Sequence, residues 1–250
     1  MTRKIKNLFE QFLDSNLISS FINKWMDRDA NNIQRALQRI ALSETANYIY
    51  YHMENVPFFK DRFSIYDFIF EQNLVTGLFL EFGVYKGESI NYIAKKIPEK
   101  TIYGFDSFEG LPEYWREGFN KGTFFVQELP PVEKNVILIK GFFKDSLPTF
   151  LKNQSGPVSF LHIDCDLYSS TTTIFKWLGD HIVDGTIIIF DEYFNYPSWK
   201  EGEYKAFQEF LTNKNITYKY LCYNSLNQQV AVRISRPRIF LDTPLGQNSL

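Results

Sequence analysis

Two short apolar runs that end abruptly in acid do most to constrain how this chain can fold: Val-Ser-Phe-Leu-His162-Ile-Asp164-Cys-Asp166 and Thr-Ile-Ile-Ile-Phe-Asp191-Glu192. Runs of this kind read as strands buried on both faces of a parallel sheet, each with a polar C-terminal tip opening into a crevice. Open α/β sheets bind their ligands in such crevices. If the two strands are neighbours, their carboxylates share one small volume, where like charges raise one another's pKa and cost stability unless compensated. A divalent cation is the simplest compensator.

The alternation continues on both sides of these runs. Apolar segments 78–82, 101–105, 136–139, 158–163 and 186–190 read as strands, separated by helical patterns over 88–96, 146–152, 169–178 and 203–211. Segments 217–223 and 229–234 close the series as a pair, so the expected fold class is α/β, a mostly parallel seven-stranded sheet flanked by helices. Ahead of the sheet the pattern is helical. Leu8, Phe9, Phe12, Leu13, Leu17 and Ile18 recur at helical spacing, as do Ile33, Leu37, Ile40 and Ala41, and another helix is expected over 63–72. The division is a helical extension over 1–75, serving as cap or homo-oligomer interface, a core over 76–234 and a Pro-containing tail over 235–250.

With 250 residues, 44% of them hydrophobic, the chain can bury one full core. A net charge of -2 leaves no basic footprint for nucleic acid and points to a small-molecule partner. No run approaches the roughly 20 apolar residues of a membrane span. The opening Met1-Thr-Arg-Lys-Ile-Lys resembles a secretory start, but Glu10, Gln11 and Asp14 interrupt the apolar stretch such a signal requires, so a cytoplasmic location is expected. Cys165 and Cys222 supply neither a disulfide framework nor metal-ligand spacing, and Cys165 reads as a small core residue.

The first strand runs into Glu81-Phe82-Gly83-Val84-Tyr85-Lys86-Gly87-Glu88-Ser89, a strand, glycine turn and helix that brings backbone close to a ligand. It lacks the three glycines of a dinucleotide loop. Asp106 ends the second strand about 20 residues further on, where a carboxylate would hold a ribose hydroxyl pair. Ribose without pyrophosphate points to S-adenosylmethionine. Gly141 and Phe142, after the third strand, could accept an adenine face with Asp145 near its amino group, and Asp145 could equally N-cap a helix starting at Ser146.

Taken together, Glu81-Phe82-Gly83-Val84 with Gly87, Phe105-Asp106-Ser107-Phe108-Glu109-Gly110-Leu111-Pro112, Gly141-Phe142, Ile163-Asp164-Cys165-Asp166-Leu167-Tyr168-Ser169-Ser170-Thr171 and Phe190-Asp191-Glu192-Tyr193 resemble the macrocin and mycinamicin O-methyltransferases over roughly residues 76–211. The resemblance implies a class I, Rossmann-like S-adenosylmethionine-dependent methyltransferase, with magnesium and a sugar hydroxyl as acceptor. It implies Glu81, Gly83, Val84, Gly87, Ser89, Asp106, Ser107, Gly141, Phe142 and Asp145 around the donor, and Asp164, Asp191 and Glu192 around the metal. One departure is the second acid pair, Asp191-Glu192-Tyr193, where the family has Asp-Asp-Tyr.

Such a metal would act as Lewis acid and template toward an aliphatic hydroxyl. Asp164 is the first candidate for general base and Asp166 the second, although Asp166 could instead cap the helix near Ser169. His162 shares the Asp164 face and reads either as a base or as a satisfied core histidine. The aromatic loop over 109–126 is expected to form a lid, with Trp115 and Arg116 facing the acceptor. Asp166 and Tyr193 join them as acceptor candidates, and segment 195–200 could form the opposite wall. The acids leave open a metal-dependent phosphoester hydrolase, a methyltransferase for a non-sugar oxygen or nitrogen, or a non-catalytic binding module.

Overall fold

The computed structural model describes Ser20 and residues 31–236. The elements in chain order are α1 (Ile33–His52), β1 (Phe58–Phe59), α2 (Arg62–Phe70), β2 (Leu78–Phe82), α3 (Glu88–Lys96), β3 (Ile102–Asp106), β4 (Val136–Lys140), α4 (Phe143–Asn153), β5 (Val158–Ile163), α5 (Tyr168–Leu178), β6 (Ile182–Phe190), a 3-10 turn (Trp199–Glu201), α6 (Glu203–Lys214), β7 (Thr217–Asn224) and β8 (Val230–Ser235). They build one sheet in the order β1-β7-β8-β6-β5-β2-β3-β4. β8 pairs antiparallel with both β6 and β7, while the remaining pairings are parallel. The seven expected strands are present, and the two-residue β1 extends the β7 edge.

The sheet separates two apolar layers because successive side chains of a strand point to opposite faces. Phe82, Phe105, Ile163 and Phe190 join α4, α5 and α6 on one face, with Phe82 stacked on Phe105 at 4.6 Å and Phe175 on Phe210 at 4.5 Å. Phe79, Phe160, Ile187 and Ile189 meet α2 and α3 on the other. Each fully buried Phe or Ile stabilises the fold by roughly 1.5–3 kcal/mol relative to exposure, which leaves the polar strand tips as the part of the sheet not committed to packing.

Of the N-terminal helical extension, α1 and α2 are described. α1 lies over the segment following β6: Thr45 Oγ1 accepts the Asn195 N–H at 2.9 Å, and Gln38 Nε2 donates to the Asn195 carbonyl at 2.9 Å. Tyr48 packs edge-on against Trp199 and Tyr204. α1 therefore packs on the segment that follows the acid pair. The helix expected to carry Leu8 to Ile18 and the tail from residue 237 onward lie outside the described residues. Among the described residues no helix is long and apolar enough to cross a membrane.

Candidate active site

Register creates the site. β5 and β6 pair in parallel with His162 beside Ile189 and Ile163 beside Phe190, so the next residues, Asp164 and Asp191, stand side by side at the two strand tips. Continuing backbone bonds hold them there: Asp164 N–H donates to the Phe82 carbonyl and Asp191 N–H to the Ile163 carbonyl. Asp164, Asp191 and Glu192 all line the crevice beyond the strand tips. His162, Asp164 and Asp191 each bring a ligand atom within 4.8 Å of the others; Glu192 stands outside that group.

His162 is committed elsewhere. Its Nδ1 lies 2.9 Å from Glu81 Oε2, its neighbour across β2, and its Nε2 lies 3.2 Å from the Tyr66 hydroxyl. With both ring nitrogens engaged, the core reading of His162 describes it better than that of a base or ligand. Glu81, fully buried, also accepts from Ser89 Oγ at 2.9 Å.

Beyond the acid pair, two buried polar side chains organise the strand tips. Glu203, the first residue of α6, accepts the Cys165 N–H through Oε1 at 3.4 Å and the Glu192 N–H through Oε2 at 3.2 Å, tying together the turns after β5 and β6. Gln229 Nε2 donates to Asp191 Oδ1 at 2.9 Å. Glu192 Oε2 is buried without any donor. Burial, Asp191 and Asp166 hold the Asp164 and Glu192 carboxyls well above the usual carboxylate range, and burial with Asp166 and Asp191 does the same for Glu203. Asp166 is pushed up to about 7 by burial and by Asp191, with Arg116 pulling the other way. An all-oxygen set with one orphaned carboxylate oxygen and suppressed ionisation fits a hard divalent cation.

Asp166 adopts φ +64°, and the Leu167 N–H reaches back to the Cys165 carbonyl at 2.6 Å, closing a three-residue turn around it. This corrects the capping expectation: the N-cap position of α5 is Leu167, without a side-chain cap. The serines and threonines after it lie inside the helix, where Thr171, Thr172 and Thr173 bond back to carbonyls four residues earlier. Cys165 is buried, as expected of a core residue, and burial pushes its thiol up.

The acids open onto a crevice of about 870 Å³, a volume suited to a small-molecule site. Gly83 turns the chain out of β2 at φ +96°, so close to β5 that a Cβ would lie 1.7 Å from the Asp164 carbonyl oxygen. Only glycine fits. Asp106 then anchors this loop: its Oδ2 accepts the N–H groups of Val84 at 2.9 Å and Tyr85 at 2.8 Å, and its Oδ1 that of Phe108 at 2.7 Å. A carboxylate offers about four acceptor positions, so Asp106 keeps acceptor capacity toward the crevice it lines.

Gly83, Val84, Ser89, Asp106, Ser107 and Phe142 line the crevice as expected of donor residues. Four others do not. Glu81 is enclosed by its bonds to His162 and Ser89, and Gly87 forms the left-handed start of α3. Gly141 sets the turn out of β4 at φ +140°, while Asp145 lies within the first turn of α4, which begins at Phe143 and not at Ser146. Asp145 is thus neither cap nor lining residue.

On the acceptor side, Trp115 and Arg116 line the crevice together with Asp166. The Arg116 guanidinium lies 3.8 Å from the Trp115 ring and 5.2 Å from that of Tyr196, joining the 109–126 loop to the segment after β6. That segment is not an open wall, because Tyr196 and Trp199 are buried. Tyr193 also leaves the acceptor set: its ring is fully buried and its hydroxyl bonds that of Tyr220 at 2.8 Å, within a cluster including Tyr48 and Tyr218. Arg62, Glu203 and Gln229 carry no mark in their local sequence. They come from the start of α2, the start of α6 and the β7–β8 connection, outside the two acid-tipped segments.

This sheet order, with its single antiparallel strand and its crevice at the parallel strand tips, is the class I methyltransferase fold. The chain matches two solved methyltransferases over most of the core. It resembles the calicheamicin methyltransferase CalS11 with a TM-score of 0.54 at 22% identity, covering 68% of this chain and 76% of that one. For the O-methyltransferase NovP the TM-score is 0.53 at 21% identity, covering 70% and 78%.

Residues 80–193 match the family described as "Methyltransferase domain". Demethyldecarbamoylnovobiocin O-methyltransferase of Streptomyces niveus is 26% identical over 160 residues, 54% of this chain and 60% of that protein. The 8-demethyl-8-(2,3-dimethoxy-alpha-L-rhamnosyl)-tetracenomycin-C 4'-O-methyltransferase of Streptomyces olivaceus is 25% identical over 143 residues, 48% of this chain and 54% of that protein. The chain thus spans little more than half the length of these curated relatives.

Proposed function

We propose that this protein is an S-adenosylmethionine- and divalent-metal-dependent O-methyltransferase acting on a hydroxyl of a sugar or glycosylated metabolite. The observation that carries the reading is the juxtaposition, in one crevice, of the Gly83 loop anchored by Asp106 with the buried acid group of Asp164, Asp191 and Glu192. A phosphoester hydrolase would use the acids but leave the Asp106 and Phe142 side without purpose. The methyltransferase-domain match over 80–193 supports the donor half, both curated relatives are named as O-methyltransferases, which supports an oxygen acceptor, and one of them is named for a rhamnosyl compound, which supports a sugar.

Asp164, Asp191 and Glu192 would hold a cation, which would supply Lewis acidity toward the acceptor hydroxyl, while the donor would supply the methyl group. The residues do the rest. Asp164, at the crevice end of β5, would take the hydroxyl proton onto a carboxylate oxygen. Asp191 is oriented by Gln229, while Glu203 holds the Glu192 backbone, so the acid group is set before the acceptor arrives. The loop anchored by Asp106 fixes the donor, and Trp115 with Arg116 covers the acceptor side and excludes water.

Calorimetric titration with S-adenosylhomocysteine, in magnesium and in chelator, tests the donor half. Micromolar binding supports it, and absence of binding to folded, cofactor-free protein sinks it. Methylation assays with glycosylated acceptors, with and without metal, then test the acceptor class.

A further inference from the structure

Arg62 belongs to the same crevice but has no part in the chemistry above. It is the first residue of α2, whose start is held by Asp61: Oδ1 accepts the Ser64 N–H at 2.9 Å and Oδ2 accepts from the Ser64 hydroxyl at 2.7 Å. From this fixed base the guanidinium reaches the crevice beside the 83–89 loop, where it pairs with Glu88, the first residue of α3. The arginine side chain is 28% exposed and the glutamate 69%. Although burial pulls the arginine pKa down, Tyr66, Asp191, Asp164 and Glu88 more than offset it. The pair thus joins the start of α2 to the loop expected to hold the donor.

The charge of the surroundings makes the pair informative. Glu88, Asp164 and Asp191 line the crevice with Arg62, an environment that receives an ammonium group and repels a carboxylate. The methyl donor and its demethylated product carry both groups on one carbon. We infer that Arg62 and Glu88 hold the amino-acid end of the donor, the guanidinium taking the α-carboxylate and Glu88 facing the α-ammonium. The inference rests on the donor reading above. A planar guanidinium can serve Glu88 and a ligand carboxylate together, which a lysine ammonium does less well. Lys86 also lines the crevice, but its ammonium rests 5.1 Å over the neighbouring Tyr85 ring and its residue is exposed. It serves as the control.

The test compares two probes by calorimetry: S-adenosylhomocysteine, which has the amino-acid end, and 5'-methylthioadenosine, which lacks it. Arg62→Met is expected to weaken S-adenosylhomocysteine about tenfold or more while leaving 5'-methylthioadenosine within about twofold, and Lys86→Met is expected to change neither ratio. Arg62→Lys, which keeps the charge without the fork, should lose part of the same discrimination and provides the reading if Arg62→Met does not fold. Equal weakening of both probes, or of neither, overturns the inference while leaving the donor reading intact. Wild-type protein that binds neither probe overturns the donor reading and this inference with it.

Discussion

Asp164 and Asp191 are neighbours because β5 and β6 pair in register one residue earlier, at Ile163 and Phe190. Two carboxylates so placed repel one another, and the fold holds them with backbone bonds from Asp164 to Phe82 and from Asp191 to Ile163. Their separation from the Asp106 loop divides the crevice into halves that different substitutions should uncouple. Asp164→Asn should lower metal-dependent methyl transfer by at least about 100-fold with S-adenosylhomocysteine affinity nearly unchanged. Asp106→Ala, which removes the acceptor of three loop N–H groups, should weaken the same ligand first. Calorimetry and a transfer assay on both variants check this, and an equal loss of donor affinity in the two would refute the division.

Glu203 has a structural role that can be measured without any substrate. Its carboxylate accepts the N–H groups of Cys165 and Glu192. Glu203→Ala leaves both donors unsatisfied in a buried site, at a cost of about 1–3 kcal/mol each. Glu203→Gln keeps one carbonyl acceptor and should cost less. The expected order of thermal midpoints is wild type, Gln, Ala; a wild-type midpoint in the alanine variant would remove the bridging role.

The raised carboxyl pKa values make the metal-free protein pH-sensitive in a defined sense. Asp166 moves from 3.8 to about 7, and Asp164, Glu192 and Glu203 are also raised. Above about pH 4 the folded state binds more of these protons than the unfolded state, so stability is fully present below the unfolded values and is lost as pH rises toward and through 7. A carboxyl pKa higher by one in the folded state corresponds to about 1.4 kcal/mol. In chelator the thermal midpoint should therefore fall between pH 5 and pH 8, and magnesium should restore most of it at pH 8. A midpoint that rises over this interval, or is indifferent to metal, would contradict the acid arrangement.

Gly83→Ala should be among the most damaging single changes in the core. It places a methyl group 1.7 Å from the Asp164 carbonyl oxygen and asks alanine to adopt φ +96°. The backbone conformation alone costs about 1–2 kcal/mol, and the clash must displace the β5 tip that carries Asp164. Loss of both donor binding and turnover is expected, with a lowered midpoint by calorimetry. Retention of both would show that β2 and β5 can separate there.

Local pattern was enough for the parallel strands, for the helix over Glu88–Lys96, and for the acids at the tips, because periodicity and burial on both faces leave few other solutions for short apolar runs. The glycine turn, the crevice and the placement of Asp106 at its edge were legible for the same reason. What only the tertiary structure decided is which partner a side chain with several options takes. Tyr193 comes directly after the acid pair in sequence yet turns into a tyrosine cluster, and His162 lies beside Asp164 yet engages both ring nitrogens with Glu81 and Tyr66. Arg62, Glu203 and Gln229 reach the site from the start of α2, the start of α6 and the β7–β8 connection. Hydrophobic periodicity is a property of neighbouring residues, whereas the partner of a buried polar group is chosen by packing and register across the sheet, and no local pattern contains that choice.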